Sequence, residues 1–128
     1  MVQVQTLLKI IDNSGGWFAL CIRILANVSV ARPGDELVLA IKSIILNKKI
    51  AHRRKRKVLK GTVRRAVLLR VSYFLKRWGN MHIKFASNGA ALIGRWEMPI
   101  GSRVNGPVMF ESRVSKFIRI AMISEGSL

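Results

Sequence analysis

The sequence has six acidic residues in 128, and none of them lies between Leu37 and Trp96. Paired carboxylates, the usual material of general acid–base chemistry and of hard-metal sites, therefore have little to be built from. Only Asp35 and Glu36 are adjacent, and they sit beside a Pro-Gly turn. Cysteine occurs once, as Cys21, which excludes an internal disulfide framework. It lies in the apolar run "FALCIRI", where a thiol packs as a small hydrophobe. The two histidines, His52 and His82, have no Cys or His at metal-ligand spacing. No Gly-rich phosphate loop or nucleophile motif is present, and Ser14 reads as a turn residue. No catalysis, cofactor or metal is expected. No apolar run reaches the ~18 residues that cross a membrane as a helix. The opening "MVQVQTLLKI" lacks the features of a signal or transit peptide, so the mature fold is expected to begin at Met1.

What is abundant is positive charge. There are 23 Lys and Arg, for a formal net charge of +17. Sixteen of them fall inside the acid-free window, while the rest of the chain holds seven bases against six acids. The densest run is "NKKIAHRRKRKVLKGTVRR", Asn47 to Arg65, in which ten of nineteen residues are basic. Such a block self-repels unless a polyanion neutralises it. Nucleic acid is the first candidate, because Lys and Arg neutralise phosphates and release counterions. A membrane surface would need a basic amphipathic helix, and the one good helical pattern, Val114 to Met122, brings only Lys116 and Arg119. No membrane partner is expected. "RRKRK" alone also fits a nuclear localisation signal, a motif too short to decide anything. Half of the residues are hydrophobic, so the chain has material for a core and is not a disordered basic tail.

Period-two patterns dominate. Val2, Val4, Leu8 and Ile10 share one face of a first strand, and Phe18, Leu20, Ile22 and Ile24 share one face of a second. "DNSGG" and "RPGDE" read as turns, and "ELVLAIKSIIL" as a central strand. After the basic run, Val63, Val67, Leu69 and Val71 are expected on one face, with Arg64 and Arg70 opposite. "MHIKFA" places Met81, Ile83 and Phe85 inward and His82 and Lys84 outward, and "ALIG" is a short strand. "PIGSRVNGPV" reads as an ordered loop. The period then changes: Val114, Phe117, Ile118, Ala121 and Met122 form a helix face, with Ser112 as N-cap and Gly126 beyond the end. Tyr73, Phe74 and Trp78 lie beside Lys76 and Arg77. They read either as stacking platforms for unpaired bases or as core or partner contacts. The expectation is a single domain, mainly β: a small five-stranded antiparallel barrel over 1–110, a basic ribbon projecting at about 44–64, and a helical tail over 111–128.

These segments resemble the universal L-fourteen family of large-subunit ribosomal proteins over nearly the whole chain. "MVQVQTLLKIIDNSG" is similar to the family's first strand and turn, "CIRIL" to its second strand, and "PGDELVLAIK" to its Gly-Asp turn and third strand. "FASNGAALI", "PIGSRVNGPV" and "KFIRI" follow in order, the second being the best match. The resemblance implies a barrel with a projecting ribbon and a non-catalytic place on the large subunit, at the face that meets the small one. The implied partners are large-subunit rRNA, neighbouring ribosomal proteins, small-subunit rRNA across an intersubunit bridge, and a factor that blocks subunit joining. It implies RNA contacts at Asn13, Arg23, Lys42, Arg103 and Lys116. Charge alone adds Lys48, Lys49, Arg53, Arg54, Lys55, Arg56, Lys57, Lys60, Arg64 and Arg65 from the basic run, and Arg70 just beyond it. Departures from the family pattern stand at Trp17 and Phe18, where many members are basic, at Ala86 and Gly89, and in an insertion between Ile44 and Gly61. The insertion is the basic run itself, expected as a finger reaching into rRNA. The drift, with a match that starts at Met1, points to a protein made inside a mitochondrion, with a plastid or bacterial ribosome as the alternative. The rival function is a free-standing RNA or DNA chaperone using the same surface.

Overall fold

The computed structural model describes residues 2–45, 58–114 and 116–128. Five strands form a closed barrel: β1 (Leu7–Ile10), β2 (Gly16–Ile24), β3 (Glu36–Ile44), β4 (Val63–Arg70) and β7 (Gly89–Ile93). Between β4 and β7 the chain makes a small hairpin, β5 (Leu75–Lys76) with β6 (His82–Ile83). Two short helices, α1 (Glu111–Val114) and α2 (Ile118–Met122), follow a loop at the C-terminal end.

The expected barrel is present, with one qualification about strand direction. The seams β1–β2, β2–β3, β3–β4 and β4–β7 are antiparallel, but β1 meets β7 in parallel, Lys9 opposite Gly89 and Ile10 opposite Ala90. Strands that alternate up and down cannot close an odd-membered ring, so a five-membered barrel must contain a parallel seam. Gly89 lies on that seam. A Cβ there would stand 3.0 Å from Cγ2 of Ile11, so the branched Ile11 side chain already fills the space of an alanine methyl.

The turns follow their residue types. In Arg32–Asp35 the Asp35 N–H donates to the Arg32 carbonyl at 3.0 Å. Pro33 fixes the first central φ, and Gly34 adopts φ +94°, which a type II turn requires. The first strand is shorter than its pattern. Gln5 has φ +70°, the Gln3 N–H is bound by Thr6 Oγ1 at 3.0 Å, and Val4 is left exposed.

There are two apolar layers. The barrel interior holds Leu8, Ala19, Cys21, Leu39, Leu68 and Leu92, all buried. A second layer lies outside the β4–β7 seam, where Val67, Leu69, Ala91 and Ile93 are covered by Val108, Phe117 and Ile120. Both strands are therefore buried on two faces, which is why they read as nearly unbroken apolar runs. The single face expected for Val63, Val67, Leu69 and Val71 is divided accordingly. Val67 and Leu69 face the outer layer, Val71 joins the interior, and Val63 is exposed.

The second strand is turned over relative to expectation. Ala19 and Cys21 point inward, while Phe18 and Leu20 are half-buried and Ile22 is exposed. Both faces of this strand are apolar, so period alone could not choose between them. A small barrel has room for the smaller set, and a register shift between Cys21 and Arg23 returns Ile24 to the interior. Cys21 is an inert core thiol: burial pushes its pKa up, against a weak hydrogen bond to the Arg23 carbonyl. The expected single helix is two short ones. Phe117, Ile120 and Ala121 are buried, Ile118 and Met122 are exposed, and Ser112 lies buried inside α1 rather than capping it. Phe117 sits at the N-cap of α2 and is buried in the outer layer. The inward faces of β5–β6 match their pattern for Ile83 and Phe85, which pack on the barrel core, whereas Met81 is exposed.

Candidate nucleic-acid interface

The β3–β4 ladder carries the basic run. It extends past Val63, with the Ile41 N–H donating to Thr62 at 3.0 Å and the Gly61 N–H to Ile41 at 2.9 Å. Lys42 and Lys60 stand exposed at this end, beside Arg64. Lys48, Lys49, Arg53, Arg54, Lys55, Arg56 and Lys57 lie outside the described residues, as does most of the ribbon expected at about 44–64. The described chain ends at Ile45 and resumes at the buried Val58, on these two neighbouring strands. On the outer face of the same sheet, Arg23 and Arg65 flank Val38 across β2–β3–β4. One rung away is an apolar row, Leu7, Leu20, Ala40 and Val63, whose ends are 53% and 57% exposed.

Each acid is engaged within the fold. Asp12 accepts the N–H groups of Ser14 at 2.9 Å and Leu92 at 2.8 Å, and also the Ser14 hydroxyl. Asp35 accepts the Arg32 N–H at 2.7 Å, and Glu125 accepts the Gly106 N–H at 2.9 Å. Glu36 binds Arg65 and, at 3.5 Å, Lys116. Lys116 in turn meets Glu97 at 2.8 Å and lies over the Phe117 ring. Arg77 forks onto both oxygens of Glu111, each at 2.6 Å. Burial pushes the Glu36 and Glu111 carboxyls up, but their cationic partners outweigh it and hold both below the ordinary value.

Several candidate RNA residues are thus structural supports. Arg70 donates to the carbonyl of Pro107 at 2.6 Å and to that of Asn105, and its guanidinium lies over the Phe85 ring. Asn13 clamps the neighbouring part of the same loop. Its side-chain oxygen accepts the N–H of Ser102 at 2.8 Å and of Arg103 at 3.3 Å, and its amide donates to Ser102 Oγ at 2.9 Å. Arg65 and Lys116 are ion-paired but remain 48% and 56% exposed, so they keep a face to solvent. Arg23, Lys42, Lys60, Arg64 and Arg103 are exposed and have no side-chain partner among the described residues. The surface that remains is basic without local compensation.

Charge counting missed one group, the outward face of the β5–β6 hairpin: Phe74, Lys76, His82 and Lys84. The alternation in "SYFLK" and "MHIKF" was the available signal. The Trp17 and Phe18 rings are 6.1 Å apart on the outside of β2, with Trp17 exposed. Among the described residues no three His, Cys, Asp or Glu side chains are grouped to hold a metal.

The closed five-strand barrel with short C-terminal helices is what the resemblance implied, and residues 1–128 match the family described as ribosomal protein L14p/L23e. The chain belongs to that family. It is therefore a structural protein of the large ribosomal subunit, and membership implies a supporting rather than a catalytic part. Two relatives carry the name large ribosomal subunit protein uL14m. That of Acanthamoeba castellanii is 44% identical over 131 residues, covering 100% of both chains. That of Acanthamoeba polyphaga is 43% identical over 117 residues, covering 90% of this chain and 99% of its own.

Proposed function

We propose that this L14-family protein is a component of a mitochondrial large subunit and binds its rRNA through a basic surface. That surface comprises the segment from Lys48 to Lys57, the ladder residues Lys42, Lys60 and Arg64, and Arg23 with Arg65 on the adjoining sheet. Arg103 and Lys116 form a second contact near the clamped loop, at the face that meets small-subunit rRNA and receives a subunit-joining silencing factor. Neighbouring ribosomal proteins dock on the apolar row from Leu7 to Val63. The observation that carries the reading is the complete internal use of the acids, which leaves the exposed cations for phosphate. Asn13 and Arg70 act behind the surface, holding the loop that presents Arg103.

Sucrose-gradient sedimentation of a mitochondrial lysate at low and high salt, with the protein traced by mass spectrometry, tests this. Co-sedimentation with the large subunit that survives high salt is expected. Release into light fractions at moderate salt would instead describe the free-standing RNA or DNA chaperone and overturn the reading.

A further inference from the structure

We infer that the β5–β6 hairpin is a separate site for unpaired RNA, with Trp78 as the stacking platform. It rests on the RNA-binding reading only in taking RNA as the ligand, since its residues are not those of the basic ladder. The hairpin is two-sided. Tyr73, Leu75, Ile83 and Phe85 pack against the barrel core. Phe74, Lys76, His82 and Lys84 occupy the other side, exposed and without an acid among them. Lys84 Nζ lies 4.7 Å from the centre of the Phe74 ring, and His82 meets that ring edge-on. Trp78 stands at the tip and is 96% exposed, so it has no structural part in the isolated chain.

The tip is held in place. The Arg77 N–H donates to Met81 at 2.8 Å, and Gly79 and Asn80 both adopt positive φ to close the turn. The Arg77 guanidinium ties it to Glu111 and to the Leu128 carbonyl at 2.7 Å. Beside Trp78, on the core-facing side of the hairpin, lies a mainly apolar groove lined by Val28, Pro33, Tyr73, Leu75 and Met81, with Lys76 and Arg32 also lining it and Glu111 neutralised by Arg77. Cations alternating with exposed aromatics on a fixed platform suit a single strand, whose bases offer π-faces and whose phosphates follow the charge. The core of a protein interface is depleted in charge, which this face is not. A duplex hides its base faces and offers Trp78 nothing to stack on.

The test uses the full chain with Trp17→Phe and Trp96→Phe, which leaves Trp78 as the only tryptophan. Single-stranded oligouridylate should quench its fluorescence to saturation, and duplex RNA of equal length should not. Trp78→Ala should weaken single-strand binding about fivefold or more and leave duplex binding within about twofold, with Trp78→Phe restoring most of it. Phe74→Ala should act in the same direction on a folded protein. Absence of quenching, or equal weakening for both RNAs, overturns the site. So does unchanged single-strand binding in a Trp78→Ala protein whose assembled subunit loses a neighbouring protein, which makes the face a protein interface. Reversing the charges from Arg53 to Lys57 should weaken both RNAs but keep the quench at saturation. Failure of the ladder reading is thereby distinguished from failure of this one.

Discussion

Gly101→Ala gives the most direct test of the clamp behind Arg103. A Cβ at Gly101 would lie 2.7 Å from Asn13 Oδ1, 3.0 Å from Asp12 Cβ and 3.2 Å from the Asn13 backbone nitrogen. The first of these cannot be tolerated, and the other two cannot easily yield. Asp12 is fixed by the Ser14 and Leu92 N–H groups, and the Asn13 N–H donates to the Arg103 carbonyl at 3.2 Å. The least costly response is rotation of the Asn13 side chain. That abandons its bonds to the Ser102 and Arg103 N–H groups and to Ser102 Oγ. These groups are partly exposed, so water recovers some of the loss. At about 0.5–1.5 kcal/mol each, the destabilisation should total about 2–3 kcal/mol. For a domain of this length that lowers Tm by roughly 10 °C. Thermal unfolding followed by circular dichroism reads it directly. Asn13→Ala should cost nearly as much, and the double variant clearly less than the sum, because both changes remove the same bonds. A Gly101→Ala protein within ~1 °C of the parent Tm, or strict additivity, refutes the clamp.

Three further outcomes follow from the ion pairs and the two apolar layers. The Glu36 carboxyl is held below its ordinary value of 4.5, so its contribution to stability is complete above that pH and is lost as pH falls through the lower folded-state value. Glu36→Gln should therefore flatten the acid limb of a stability–pH curve, by under about 1 kcal/mol because Arg65 is half exposed, and an unchanged acid limb would count against the pairing. Changing Arg53, Arg54, Lys55, Arg56 and Lys57 together to Glu should abolish incorporation into the subunit while leaving the far-ultraviolet spectrum and Tm intact; normal incorporation contradicts a role in RNA contact. Val67→Asp should prevent folding, since Val67 is fully buried between barrel and tail and would carry an unpaired charge there, so a soluble variant with a native spectrum would refute the second layer.

The parts of the fold legible in the sequence are those where one local rule acts alone. "RPGD" could only turn, because Pro33 and Gly34 supply the two backbone angles a type II turn needs. The hairpin arms were readable because a polar face alternates with an apolar one. Where both faces are apolar, as in β2 and β4, period carries no sign, and interior volume and the covering tail made the choice. The break between α1 and α2 was hidden because the helical spacing of apolar residues from 114 to 122 runs across it without a Gly or Pro. The candidate site was legible as charge but not as partnership. Arg70, Arg64 and Lys60 look alike in sequence. Only the fold shows that Arg70 is bound to two loop carbonyls while the other two face solvent.

The same distinction explains how the chain tolerates its charge. Its acids lie outside the basic window in sequence, yet Glu36, Glu97 and Glu111 meet Arg65, Lys116 and Arg77 in space. Two of those cations, Arg65 and Arg77, come from the window itself. The acids are placed where the barrel needs a latch: at the β3–β4 seam, across to the helical tail, and at the tip of the hairpin. Neutralisation thus serves the scaffold first and is used up there. Lys42, Lys60 and Arg64 on the ladder and Lys76 and Lys84 on the hairpin are left with no acid against them among the described residues, which suits the proposed polyanionic partner. A protein with evenly spread acids could be equally stable alone, but it would hold RNA phosphates less tightly, because each carboxylate near the surface would compete for the same guanidinium groups.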